Sequence, residues 1–202
     1  PLRRLSLTAA AALFAAAAAW PQWSFNLDTT FRTHVVDKNV NALYVYPGIG
    51  IYLSGRIRFP GDISDRVLTL IDENGEQVQS FPYSWGGGKI VPWMNQFYVQ
   101  NGNVVVRMNL NGTIDTGFAP HSGGAGSAPH ISLPTNGDYH VFPDGGVLLG
   151  GSYMPSDTMN GFVGWYRLVW LTNTGYLDTT RVHRNANGPI WAFTEQPDGK
   201  FI

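Results

Sequence analysis

Asp28, Asp115 and Asp178 recur at one position of a repeated segment, and carboxylates gathered in that way are the raw material of a cation site. A residue repeated in every unit has a plainer use, since an Asp side chain bonds the backbone amides of its own turn. All three are assigned to turns, and no metal is expected. The run Asp72-Glu73-Asn74-Gly75-Glu76 has calcium-loop residue types but lacks the alternating ligand spacing and the distal bidentate Glu, so it reads as an Asx turn. His34, His121, His130, His140 and His183 share no short ligand spacing such as His-x-x-x-His. Gly86-Gly87-Gly88-Lys89 and Gly123-Gly124-Ala125-Gly126-Ser127 lack the spacing that wraps a phosphate ahead of a helix and read as flexible connections. Once turn positions are set aside, Asp37, Asp62, Asp65, Asp138, Asp157 and Glu195 are the acids from which a glycosidase pair would be drawn, and nothing in the sequence selects two of them. With no Cys, a thiolate metal site, a Cys nucleophile and disulfides are excluded. No cofactor is expected.

Aromatic chemistry is better supplied, with seven Trp residues. Trp85 and Trp93 lie in or beside the first glycine-rich loop, and Trp191 stands at an expected strand start. Trp85 and Trp93 are the candidate binding residues, able to stack on a sugar ring or an apolar side chain. The competing use of these indoles is to fill gaps between sheets.

The elements that must position such groups repeat. Residues 139–151, YHVFPDGGVLLGG, read as a hairpin: β-branched, aromatic and aliphatic residues flank Pro143, Asp144, Gly145 and Gly146, which are turn formers. Related hairpins stand at 46–55, 100–106 and 196–202, the last with Asp198 and Gly199 in the turn. With Pro47, Gln100, Pro143 and Pro197 as equivalent positions the spacings are 53, 43 and 54 residues, in the range of repeated supersecondary units. A second segment, RMNLNGTIDTGF at 107–118, has versions at 25–31, 70–81 and 171–181. Gly75, Gly112 and Gly175 each stand six residues before Phe81, Phe118 and Arg181, which holds the register.

Taken together, an R-x-N-x-x-G-x-[IL]-D-T-x-F segment and an x-Q-P-D-G-K-[IVF] hairpin resemble the delta-60 repeat family of bacterial exported proteins, most clearly at 107–118 and 195–202. The resemblance covers about 25–202. It implies an all-β fold, a β-propeller or propeller-like array of small antiparallel sheets, incomplete at about three and a half repeats. It brings no catalytic set. The chain departs from the motif at Leu70 and Trp170, which stand for the Arg, at Val78 for the Asp, and at Arg181 for the Phe.

Hydropathy patterning agrees with that architecture. A strand packed between two sheets is apolar on both faces, and FVGWYRLVWL at 162–171 has that pattern. Further strands are expected at 42–45, 49–53, 67–71, 97–99 and 104–108, with loops at 84–89, 119–129 and 154–160, and almost no helix after residue 20.

Charge and the N-terminal segment bound the setting. Lys and Arg number 13 and Asp and Glu 14, so no basic field exists for nucleic acid, and charged residues are 13% of the chain against roughly 25% in an average domain. Arg3 and Arg4, an apolar run over 5–16 and three alanines over 17–19 predict a signal peptide at 1–19, leaving 20–202 as repeats cut short at the C-terminal end. A secreted or cell-surface protein is expected, with no membrane span in the mature chain. The function expected is a non-catalytic repeat scaffold or binding module presenting loops 84–93 and 119–130 to a protein or glycan partner. The alternative is a propeller-type hydrolase or lyase acting on polysaccharide with a carboxylate pair.

Overall fold

Among the described residues the regular structure consists of ten antiparallel strands and no helix: β1 (Asp37–Tyr46), β2 (Gly50–Arg58), β3 (Arg66–Ile71), β4 (Gln77–Ser80), β5 (Ile90–Trp93), β6 (Gln96–Asn101), β7 (Val104–Asn109), β8 (Tyr139–Val141), β9 (Val147–Met154) and β10 (Tyr166–Leu171). The computed structural model describes residues 29–81, 86–101, 104–118, 137–154, 166–182 and 184–202. Asp28, Trp85 and the glycine-rich run 123–127 lie outside them, as do the first 28 residues. The strands form three sheets in sequence order: β1-β2-β3-β4, β5-β6-β7 and β8-β9-β10. The second and third sheets each add a single fourth-strand bridge, Met108 with Ile114 and Leu171 with Leu177, so all three follow one four-step meander. The chain is therefore all-β and built from several small antiparallel sheets.

A single turn geometry joins these steps. In the turns 72–76, 109–113, 142–146, 172–176 and 196–200 the glycine amide bonds the carbonyl three residues back, and the first residue's amide bonds the last one's carbonyl. This is the three-residue hairpin loop that ends on a residue of positive φ. Gly75, Gly112, Gly145, Gly175 and Gly199 fill that place with φ between 78° and 91°. The P-D-G hairpins and the N-x-x-G segments, which look different as sequence, are thus the same loop. Asp144 and Asp198 cap it by accepting the amides of Gly146 and Lys200, and Asn111 accepts that of Thr113.

Register corrects one equivalence drawn from sequence. The hairpin at 100–106 is the second of its sheet, joining β6 to β7, whereas the turns at Pro47 and Pro143 are the first of theirs. The counterpart of Pro47 and Pro143 is the tight β5-β6 connection through Met94 and Asn95, between Trp93 and Gln96. The spacings from Pro47 through Met94 and Pro143 to Pro197 become 47, 49 and 54 residues, more even than before.

The sheets stack through their faces. Between the first and second lie Tyr52, Leu68, Leu70 and Phe81 against Ile90, Phe97, Val99, Val106 and Met108. Between the second and third lie Tyr98, Val105 and Phe118 against Tyr139, Val147, Leu149, Val169, Leu171 and Leu177. Strands β6 and β7 therefore bury alternate residues on opposite neighbours, the pattern of a strand covered on both sides. The apolar stretch at 162–171 is described from Tyr166 onward, where Val169 and Leu171 are buried.

All five glycine turns fall at one end of the stack, because each antiparallel meander returns to that end. The strand ends Arg58, Ser80, Asn101 and Met154 lie at the other. Residues 86–89, expected as a flexible connection, are bonded into both of the first two sheets: Gly87 N–H to Ser54 Oγ at 2.8 Å, its carbonyl to Asn41 Nδ2 at 2.6 Å, and Gly88 N–H to the Gln100 carbonyl at 3.1 Å.

Candidate functional site

Arg107 on β7 is a buried charged residue, 6% exposed, with partners on every side. Its Nε donates to Asp115 Oδ2 at 2.6 Å, and its Nη1 donates to Tyr98 Oη and to the Asn173 carbonyl of the third sheet, both at 3.0 Å. The guanidinium lies 4.9, 5.3 and 5.7 Å from the rings of Trp93, Phe118 and Tyr98. Gln96 Nε2 donates to the same Asp115 oxygen at 2.9 Å. Burial opposes charge on Asp115, but the Gly117 amide, Arg107 and Gln96 outweigh it and hold the carboxyl below its ordinary range. Burial pushes the Tyr98 phenol up, against the downward pull of Arg107.

The sequence places this cluster through strand pairing. Tyr98 stands opposite Arg107 across β6 and β7, and the Asp115 amide bonds the Arg107 carbonyl after the turn. The first sheet has Tyr52 opposite Leu70, and the Tyr52 hydroxyl donates to the Leu110 carbonyl of the next sheet at 2.9 Å. Leu110 and Asn173 both stand two residues before their turn glycine, so each interface satisfies the same turn carbonyl with a different donor.

In the third sheet this position is rebuilt. Leu148 stands opposite Trp170, and the Asp178 amide bonds the Trp170 carbonyl, so Trp170 takes the place of Arg107 and Asp178 that of Asp115. Arg181 replaces Phe118, and Gly146 stands where Gln96 does, two residues before the paired position. A cavity of about 220 Å³ lies beside it, lined among others by Phe142, Asp144, Trp170, Asn173, Asp178 and Arg181, where the turns 142–146 and 172–176 lie side by side. Arg181 Nε is 3.6 Å from Asp178 Oδ2, beyond hydrogen-bond length.

No protein-family model, curated protein or solved structure matches the chain. Its chemistry has to be read from its own geometry.

Of the two candidate tryptophans, Trp93 lies between the second and third sheets. Its Nε1 donates to the Pro143 carbonyl at 3.0 Å, one ring face meets Arg107, and the Gly145 turn packs against it. Trp191 lies outside the strands and is 57% exposed. The recurrent Asp115 and Asp178 accept the amides of Gly117 and Thr180 at 2.8 and 2.9 Å.

The leftover acids among the described residues each have a basic neighbour. Asp62 pairs with Arg66, Asp65 with Arg56 and Arg58, Asp138 with Lys89 at 2.6 Å, and Glu195 with His140 at 3.1 Å. Asp157 and the Asp37 side chain lie outside the described residues. His34 faces Glu76 at 2.8 Å, whereas His121, His130 and His183 are outside the description. Among the described residues no three His, Asp or Glu are grouped to hold a metal, and no helix is long and apolar enough to cross a membrane.

Trp170 and Arg181 are the residues that sequence reasoning noticed without using. Both were visible as departures from the repeat motif. Their convergence on one cavity depends on the eleven-residue step from strand to turn end, which only the pairing reveals.

Proposed function

We propose that the chain is an exported, non-catalytic repeat module of the delta-60 kind, whose stacked sheets form a propeller-like array that presents surfaces to a glycan or protein partner. What supports the reading is how its acids are used. Asp115, Asp144, Asp178 and Asp198 cap their own turns, Asp62, Asp65 and Asp138 are each held by a neighbouring Arg or Lys, and Glu195 lies beside His140. Arg66 and Arg56 lead in holding Asp62 and Asp65 below the usual carboxylate range, the opposite of what a general acid needs. The export signal rests on Arg3, Arg4 and the apolar run that follows.

Glycan arrays and a panel of glycosidase and lyase substrates test the reading. Binding without turnover is the expected result. Turnover abolished by Asp138→Asn or Glu195→Gln would overturn it in favour of a hydrolase or lyase. Solution scattering distinguishes a curved stack of sheets from a flat two-layer sandwich, and N-terminal sequencing of exported material should begin at Trp20.

A further inference from the structure

We propose that the hairpin tip at Met94, with the acids at the same end of the stack, docks a cationic segment of a partner protein, an apolar side chain of which packs on Met94 while its Lys or Arg side chains meet Asp144 and Glu73. This rests on the binding-module reading, and it selects a polypeptide as the ligand and one end of the stack as the place.

The other repeats show what this hairpin turn asks for. Their first hairpins put glycine at positive φ, with Gly48 at 77°, Gly145 at 85° and Gly199 at 78°. The second sheet instead has Met94 at φ 50°, in a region where a side chain is strained. Burial does not offset that strain, since Met94 is 72% exposed. Trp93, the residue before it, packs against the Gly145 turn and donates its indole N–H to the Pro143 carbonyl, so the tip is anchored while Met94 is left to solvent. Ile49, 39% exposed, and Pro143 stand in the corresponding turns of the sheets on either side and continue the apolar surface. A strained residue that adds nothing to its own core marks a surface kept for a contact outside it.

Charge then selects the partner. The five glycine loops of this end carry five acids, Asp72, Glu73, Glu76, Asp144 and Asp198, against one base, Lys200. Lys200 pairs with Asp198 and His34 with Glu76, which leaves Asp72, Glu73 and Asp144 with no ion-pair partner among the described residues. At the opposite end Asp62, Asp65 and Asp138 are each held by an Arg or Lys, so the unbalanced negative charge gathers on the glycine-turn side. The Glu76 amide leads in holding Asp72 below the usual carboxylate range, and that acid keeps its charge. Asp144 lies beside the tip, because its turn packs on Trp93. Such a field repels nucleic acid, anionic glycans and anionic lipid, and draws cations. Methionine adds a flexible, polarisable surface that adapts to apolar side chains of different shape and has no flat ring to offer a sugar. A polypeptide with Lys or Arg beside an apolar residue meets both demands.

The test titrates the full chain with fluorescent synthetic peptides: one of alternating Leu and Lys pairs, one with Ser in place of each Leu, and one with Glu in place of each Lys. Anisotropy reads binding at low and high salt, and circular dichroism reads the fold and melting temperature of each variant. Saturable binding of the Leu-Lys peptide is expected, tighter than that of either control. Met94→Gly should weaken it about tenfold and yet raise the melting temperature, because glycine takes this φ without strain. Glu73→Gln combined with Asp144→Asn, which keeps an acceptor for the Gly146 amide, should weaken binding and flatten its salt dependence. Ile63→Ser, at a fully exposed residue of the opposite end, should leave it unchanged. The proposal is overturned if the Leu-Lys peptide does not bind the folded chain, if either control binds as tightly, or if Met94→Gly binds as the parent does. It is also overturned if Met94→Gly melts at a lower temperature, which would put Met94 in the service of the fold. Glycan-array binding with no peptide binding would remove this site and leave the module reading intact. Glycan turnover with peptide binding kept would remove the non-catalytic reading and leave this site.

Discussion

Gly112 of the second sheet lies directly over the Phe81 ring of the first: a Cβ added to Gly112 would stand 1.7 Å from Phe81 Cδ1. The turn also holds Gly112 at φ 82°, where any side chain is strained. Gly112→Ala should therefore cost about 2 to 4 kcal/mol, from strain and overpacking together. Gly48 has φ 77° but no heavy atom within 4 Å of its missing Cβ, so Gly48→Ala should cost about 1 kcal/mol. Denaturant titration compares them. Equal losses would mean that Phe81 does not cover the turn.

Tyr98 accepts from Arg107 at 3.0 Å and donates to the Gly145 carbonyl at 2.7 Å, linking the guanidinium of the second sheet to a turn of the third. Tyr98→Phe leaves that buried carbonyl unpaired and should cost about 1 to 3 kcal/mol. Arg107→Met should cost more, since Asp115 loses its charged partner and keeps only Gln96 and the Gly117 amide. The double variant should fall short of the sum by about 0.5 kcal/mol or more. Additive losses would sink the claim that the two act as one unit.

Alkali should unfold the stack through its tyrosines. Burial first, then the neighbouring Tyr46, pushes the Tyr52 phenol up to about 12, and burial also raises Tyr98 and Tyr139. The unfolded chain releases these protons near pH 10, before the folded chain does, so stability is full below that value and falls as pH rises through 12. Tyr52→Phe should flatten the decline. On the acid side the depressed Asp115 contributes stability above the ordinary carboxylate value, and it is lost as pH falls through the lower folded value. Melting temperature against pH reads both limbs, and a rise in stability above pH 10 would contradict the burial of these phenols.

Trp93 and Trp191 should respond differently to truncation. Trp93→Ala removes a ring packed on Tyr98, Arg107 and the Gly145 turn, at a cost of about 2 to 4 kcal/mol. Trp191→Ala should stay within about 0.5 kcal/mol. Similar thermal shifts would show that Trp93 does not join the sheets.

The strands that read clearly from sequence were those whose apolar residues do their own packing. Expected stretches at 42–45, 67–71, 97–99 and 104–108 lie within β1, β3, β6 and β7. Strand β4, QVQS, is too polar to announce itself and is held by pairing with β3. Strand β5 carries Pro92 and turns into β6 through Met94, a non-glycine at φ 50°, so neither strand nor turn had a chemical signal. That missing signal drew the repeat register to the glycine at 102 instead. The Asp115 and Asp178 turns were legible because their bonds are local, two residues apart. The Arg107 cluster was not, because its acceptor Asn173 is 66 residues away and is fixed only by the stacking of whole sheets.

The gathering of the five glycine-closed three-residue loops at one end of the stack divides the molecule by its tolerance to change in length. At that end three of the loops are also gaskets: the carbonyls of Leu110, Gly145 and Asn173 seal onto the preceding sheet, so one residue added there would unseat an interface as well as a hairpin. At the opposite end, strands are joined across gaps as different as the two residues between Asn101 and Val104 and the eleven between Met154 and Tyr166. Such connections lengthen at little entropic cost. New sequence can accumulate there, or whole domains be carried there, while the opposite rim keeps the sheets in step.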